Sequence, residues 1–286
     1  MITILIKTHF GDVRRVKNLL NSIIYTKTKL PICLVSDAVT LKSLEEYKRK
    51  INLIRLIDES SILTKEELKL SGYEQQQIVK LKFYKICDTE YYFCMDSDAL
   101  LFERIGEEDF IDANGCLKDF LLIDSSIELD PFWLERFGKT RANYLDKIKK
   151  FFGLATFPTA HGFVSISRSI MRDFECYLNK RGESFKSIIE LSPMEFSWYF
   201  GFIKFTGIRL FPSVSPFYTL HTPKEFTNIK TPIVHDELIK KYKGIVLNSN
   251  WADDLGIFKL EDSMPVKYYL KFWFRRFVKY RLNFSS

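Results

Sequence analysis

Two acidic residues separated by one position, Asp96-Ser97-Asp98, follow the apolar run Tyr91-Tyr92-Phe93-Cys94-Met95 and precede a second apolar run, Ala99-Leu100-Leu101-Phe102. Carboxylates ending a buried strand repel each other and lose hydration, so they either cap backbone amides or share a cation. An oxygen-only donor pair favours Mg²⁺ or Mn²⁺ over zinc. A divalent ion held this way bridges the phosphates of a nucleotide diphosphate and steadies charge on that leaving group. Upstream, Tyr73, Gln76, Gln77, Lys80 and Tyr84 fall at helical spacing within SGYEQQQIVKLKFYKIC. They make a stripe of long hydrogen-bonding side chains, read either as a solvated face or as a face beside a nucleotide with Lys80 near phosphate.

The elements that must position these groups alternate. Residues 2–7 are a β-branched run leading through Thr8-His9-Phe10-Gly11-Asp12 into the helical pattern Val13, Val16, Leu19, Leu20, Ile23, Ile24. Residues 31–36 end at Ser36-Asp37, with Leu41, Leu44 and Tyr47 at helical spacing beyond, and 51–57 read as a third strand. Strand and helix in alternation predict an α/β fold with a mostly parallel, doubly wound sheet whose ligands sit beyond the strands' carboxyl ends. Further strand candidates are 120–123 and 163–166; 71–87 and 190–205 read as helices, and 207–220 as extended chain. A catalytic domain is expected over 1–262, its nucleotide-binding half about 1–118 and its acceptor half about 119–262.

The block SGYEQQQIVKLKFYKICDTEYYFCMDSDALLF resembles the one found in GT-A glycosyltransferases of bacterial surface-polysaccharide pathways, where a Gly-Tyr-x-x-Gln-Gln helix precedes a strand ending in Asp-x-Asp. The resemblance implies a GT-A sheet, a nucleotide-sugar donor and Mn²⁺ or Mg²⁺. It makes Asp98 the direct metal ligand and Asp96 a ligand or a contact to ribose and metal-bound water. Thr8, His9, Asp12 and Asp37 would line the nucleotide pocket with Tyr73, Gln76, Gln77, Lys80 and Ser97. His221 or His235 would be a further ligand, His221 preferred because it ends an extended run. Glu195 in SPMEFSWYFG would take the proton of the attacking hydroxyl, the base that an inverting transferase requires. Ser192 and Glu195 equally form a capping box with Pro193 at the first helical position. Asp124 is a reserve candidate for base or sugar contact. His161 and Gly162, just ahead of a strand, stand where backbone would approach a sugar, or in a simple turn.

Composition narrows the classes. The chain has 286 residues, 46% apolar, and net charge +7. Lys267, Lys271, Arg275, Arg276, Lys279 and Arg281, beyond the last acid Asp262, carry nearly all the excess. The body is close to neutral, which argues against nucleic acid as the partner. The tail, 263–286, predicts a basic aromatic helix, with Lys267, Lys271, Arg275 and Lys279 on one stripe, that lies on an anionic membrane surface or packs against protein. Scattered cysteines suggest a reducing compartment, and no stretch reads as a secretory signal or a spanning helix, so the expected location is the cytoplasmic face of a membrane. The expected reaction is sugar transfer from a nucleotide-diphosphate donor, a UDP-sugar first, to a glycan or lipid-linked acceptor of a capsule, O-antigen or related surface polysaccharide. The alternatives are a nucleotidyltransferase, against which stands the lack of a Gly-rich basic loop over residues 8–15, and a non-catalytic membrane-associated module.

Overall fold

The computed structural model describes residues 1–121, 134–159, 163–220, 237–238 and 240–246. These lie in a compact unit, Met1–Leu247; the expected domain boundary at 262 and the tail at 263–286 lie outside the described residues.

The central sheet is built from β1 (Ile2–Lys7), β2 (Ile32–Ser36), β3 (Ile54–Asp58), β4 (Tyr91–Asp96) and β6 (Val164–Ser167) in the order β3-β2-β1-β4-β6. The first four are parallel, and β6 runs antiparallel to β4 with Cys94 opposite Val164. β1 is buried throughout because both faces of a parallel sheet are covered, so its sequence reads as continuous apolar chain. Alternation still sorts its neighbours. Ile4, Ile6, Phe93 and Met95 join the layer with Val16, Leu19, Leu20 and Ile23 of α1 (Val13–Thr26), while Leu5, Tyr92 and Cys94 join the layer with Ile78, Leu81, Trp198 and Tyr199. A second sheet, β5-β8-β7, combines β5 (Ala99–Leu101), β7 (Phe217–Thr219) and β8 (Gly244–Val246).

Between β2 and β3 lie α2 (Ala38–Ser43) and α3 (Tyr47–Lys50). The third strand is displaced from 51–57, because Ile51 closes α3 by donating to Tyr47 O. Ahead of β4, α4 (Gly72–Lys82) opens with a capping box in which Ser71 and Glu74 satisfy each other's backbone amides. It tightens into a 3₁₀ turn at Phe83–Lys85 rather than continuing to 87. The second half adds α5 (Lys139–Phe152), α6 (Arg168–Lys180), α7 (Phe185–Leu191) and α8 (Glu195–Thr206). The helix expected over 190–205 is thus two. Proline has no amide hydrogen and disfavours helical backbone in the residue before it, so the chain breaks at Ser192-Pro193. Residues 120–121 of the expected strand at 120–123 form no strand; Asp119 instead bridges to Pro212.

From Glu195 to Ile203 every residue of α8 is buried. Its Gly201 permits close approach to α5, since a Cβ there would meet Phe152 Cε2 at 3.0 Å and Ile148 Cγ2 at 3.1 Å. Gly201→Leu should therefore lower the unfolding free energy by about 2 kcal/mol in chemical denaturation. Unchanged stability would contradict the close packing of α8 on α5.

Candidate functional site

β4 delivers Asp96 at its last residue, and Ser97 and Asp98 make the turn into β5, both buried. The carboxylate pair sits where the alternating sheet predicts, at the carboxyl edge beside the end of β1, with Lys7 in register with Asp96.

Lys80 of α4 lies under this turn. Its buried ammonium donates to Asp96 Oδ1 at 3.0 Å and to Glu195 Oε1 at 3.0 Å, and stands 4.9 Å over the Phe196 ring. In the amide orientation that satisfies both groups, Gln77 donates to the two Glu195 oxygens at 2.6 and 2.5 Å. The hydroxyl of Tyr92 on β4 donates to Lys80 O at 2.8 Å, fastening α4 to the strand that carries the acids. Tyr73, two turns before Lys80 on the helix, donates to Pro193 O at 3.3 Å. The expected stripe thus divides: Tyr73 is exposed, Gln76 half-buried, Gln77 and Lys80 buried, and Tyr84 turns to Glu175 of α6.

Electrostatics follow from this burial. Desolvation works against the charge on Lys80, but Asp96 and Glu195 outweigh it and hold the ammonium above the usual lysine pKa. Burial raises the pKa of Glu195, opposed by Lys80 and reinforced by Asp96. A cation enclosed this way cannot lose one carboxylate without leaving the other groups in an uncompensated field. Asp96 is the most accessible of the three, at 27%.

The capping-box reading of Ser192 and Glu195 is corrected. The residue before α8 is Met194, whose side chain makes no cap, and Glu195 is the first helical residue with its carboxylate on Lys80 and Gln77. Ser192 instead closes α7, its amide donating to Ile188 O, while its carbonyl accepts from Trp198 Nε1 at 2.8 Å.

At the ends of β1 and β2, the Ser36 hydroxyl donates to Thr8 O at 2.8 Å, and the buried Thr8 hydroxyl has no hydrogen-bond partner among the described residues. Asp37 caps α2, accepting from Thr40 N at 2.9 Å and Thr40 Oγ1 at 2.6 Å. Burial raises its pKa, but those bonds outweigh it and keep the carboxyl below its usual range. Asp12 pairs with Arg15 at 2.6 Å and His9 at 3.2 Å. Asp124, His161, Gly162, His221 and His235 lie outside the described residues.

Among the described residues no group of three or more His, Cys, Asp or Glu could hold a metal. What that region offers is the carboxylate pair Asp96 and Asp98, an oxygen donor set suited to Mg²⁺ or Mn²⁺.

Two groups escaped the sequence reading. Lys7, buried at the end of β1, pairs with Glu59 at 2.7 Å and donates to Thr8 O at 2.7 Å. A lysine ending an apolar strand was its only local signal. Asp119 is buried, and its carboxylate accepts from Phe211 N at 2.6 Å.

The fold has known counterparts. The galactosyltransferase LgtC, solved with donor and acceptor sugar analogues, superposes with a TM-score of 0.51 at 12% identity over 86% of this chain and 87% of its own. Mouse xyloside xylosyltransferase 1 gives 0.50 at 12% identity, over 87% of this chain and 99% of its own. The bifunctional glycosyltransferase WbbM gives 0.50 at 12% identity, with 86% of this chain covering 45% of it. The chain therefore has the fold of the GT-A glycosyltransferases: a mostly parallel central sheet flanked by helices. Residues 2–125 match a family described as a family of unknown function (DUF6492). No curated protein matches the sequence.

Burial raises the Asp119 pKa to about 6 from an ordinary 3.8, opposed by the Phe211 amide. A raised folded-state value means its stabilising contribution is complete below about pH 4 and lost as pH rises through 6. Asp119→Asn should reduce the difference in unfolding free energy between pH 4 and pH 7 by about 2 kcal/mol. Denaturant titrations across that range check it, and an unaltered pH slope would contradict it.

Proposed function

We propose that this chain is a metal-dependent glycosyltransferase that moves a sugar from a nucleotide-diphosphate donor, a UDP-sugar first, to a glycan or lipid-linked acceptor in surface-polysaccharide synthesis. The observation that carries the reading is the Asp96-Ser97-Asp98 turn, at the carboxyl edge of a sheet with the glycosyltransferase fold, tied through Lys80 to Glu195.

Asp96 and Asp98 would hold Mg²⁺ or Mn²⁺, with His221 or His235 as a further ligand, and the ion would neutralise charge on the departing diphosphate. The chain's own residues supply the rest. Thr8 has a buried hydroxyl with no partner among the described residues, and the end of β2 stands beside it, joined through Ser36. Glu195 would be the proton acceptor for the attacking hydroxyl, and burial, which raises its pKa above the ordinary carboxylate value, favours a carboxylate as a base. Such a base would serve an inverting transfer. Lys80 fixes the carboxylates relative to each other, and Gln77 holds Glu195 in one rotamer. Among the described residues no helix is long and apolar enough to cross a membrane. Residues 265–286 would bring the enzyme to a cytoplasmic membrane surface bearing the acceptor.

Screening nucleotide sugars for Mn²⁺-dependent thermal stabilisation and slow donor hydrolysis tests the reading. One donor should raise the melting temperature only with metal and release nucleoside diphosphate, and Asp98→Ala should abolish both effects. Release of nucleoside monophosphate would indicate a nucleotidyltransferase. Retained binding in Asp98→Ala would remove the metal assignment.

A further inference from the structure

Three helices end at one place. Phe205 in the last turn of α8 lies 5.7 Å from Phe152, the final residue of α5, and 5.1 Å from Tyr177 near the end of α6. Phe152 and Tyr177 are themselves stacked at 5.9 Å. Each terminus carries exposed cations: Lys150 on α5, Lys180 and Arg181 at the end of α6, Lys204 on α8, with Arg209 just beyond Gly207. Cations at helix C-termini complement the backbone dipole, which accounts for one per helix. Arg181 lies over the Phe151 ring at 4.7 Å and donates to the Tyr177 hydroxyl at 3.0 Å, but the dipole accounts neither for Arg209, which lies over the Phe211 ring at 5.3 Å, nor for the exposed apolar side chains around it.

Residues 204–214, KFTGIRLFPSV, run almost wholly exposed, with Phe205 at 44%, Ile208 at 38%, Phe211 at 36% and Val214 at 73%. No acidic residue occurs from 196 to 224. The neighbouring acids are engaged elsewhere: Glu183 accepts from Ser187 Oγ at 2.6 Å, and Asp146 faces Lys149 at 3.6 Å. Lys150, Lys180, Arg181, Lys204 and Arg209 have no carboxylate partner among the described residues.

We infer that this face, formed by the ends of α5, α6 and α8 and by residues 207–214, docks onto an anionic lipid bilayer. Aliphatic and aromatic tips among cations that have no carboxylate partner match the headgroup boundary, where rings and branched side chains enter the acyl region and cations meet lipid phosphates. A protein partner is disfavoured because interface centres are depleted in lysine. Single-stranded nucleic acid is disfavoured because both rings are already engaged, Phe205 against Phe152 and Tyr177 and Phe211 beneath Arg209 at 5.3 Å, and Ile208 and Val214 offer no surface on which bases stack. The face is formed by residues other than 265–286, and it stands on the described surface whether or not the proposed sugar transfer is correct.

Co-sedimentation of the full chain with vesicles of phosphatidylcholine alone, or of phosphatidylcholine with phosphatidylglycerol, tests this. The wild type should partition onto the anionic vesicles only. Ile208→Ser/Val214→Ser and Lys204→Glu/Arg209→Glu should each weaken that partition about tenfold, with circular dichroism and melting temperature unchanged. A tail variant, Lys271→Glu/Arg275→Glu, separates the two segments. Wild-type partition in both surface variants, with loss in the tail variant alone, would overturn the inference. So would wild-type protein that ignores anionic vesicles, or surface variants that keep vesicle binding while losing binding to a short single-stranded RNA. Donor hydrolysis, measured on the same preparations without vesicles, should not change, so its absence in the wild type would count against the catalytic reading and not against the docking face.

Discussion

One buried ammonium organises this molecule. Lys80 sits between Asp96 and Glu195, groups 16 and 115 residues away in sequence, and joins α4, β4 and α8 at a single nitrogen. Burying Lys80 and Glu195 beside the partly exposed Asp96 is costly in desolvation, and such groups are retained only where the geometry satisfies them together. The partners here are satisfied: Gln77 completes Glu195, the Tyr92 hydroxyl secures the Lys80 backbone, and Phe196 lies beneath the ammonium. The arrangement makes the position of the carboxylate turn depend on the packing of both halves of the chain.

The fold places that cluster. Four parallel strands carry their carboxyl ends to one edge, so Thr8, Ser36 and Asp96 become neighbours although they come from separate strands. The antiparallel β6 then caps the sheet beside β4 and hands the chain to α6, α7 and α8, and the break at Ser192-Pro193 lets α8 begin with its acid against α4.

Much of this was legible in the residues. β1, β2 and β4 announce themselves as short apolar runs, and the abrupt switch to Asp96-Ser97-Asp98 marks a strand end. What was not legible shares one cause: it depends on contacts between distant segments. Ser192 and Glu195 match a capping box in every local respect, yet the carbonyl of Ser192 is claimed by Trp198 and the carboxylate of Glu195 by Lys80. Lys80 itself reads as a residue for a phosphate or for solvent until the partner acids arrive from β4 and α8. The buried Asp119 has no periodic signal because its place is set by pairing with Phe211 rather than by a strand. Asp37, a candidate for the nucleotide pocket, also caps the start of its own helix, a local role that Asp at a strand end fills as readily.

The most direct test is a calorimetric titration of UDP with Mn²⁺ into the wild type and into Lys80→Met at neutral pH, with folding of both confirmed by circular dichroism. If Lys80 holds the carboxylate turn in its binding pose, the variant should bind at least roughly tenfold more weakly, since small displacements of positioning groups carry penalties of that size or larger. Equal affinity in the two proteins would mean that the turn keeps its place without the ammonium, and the central claim would fail.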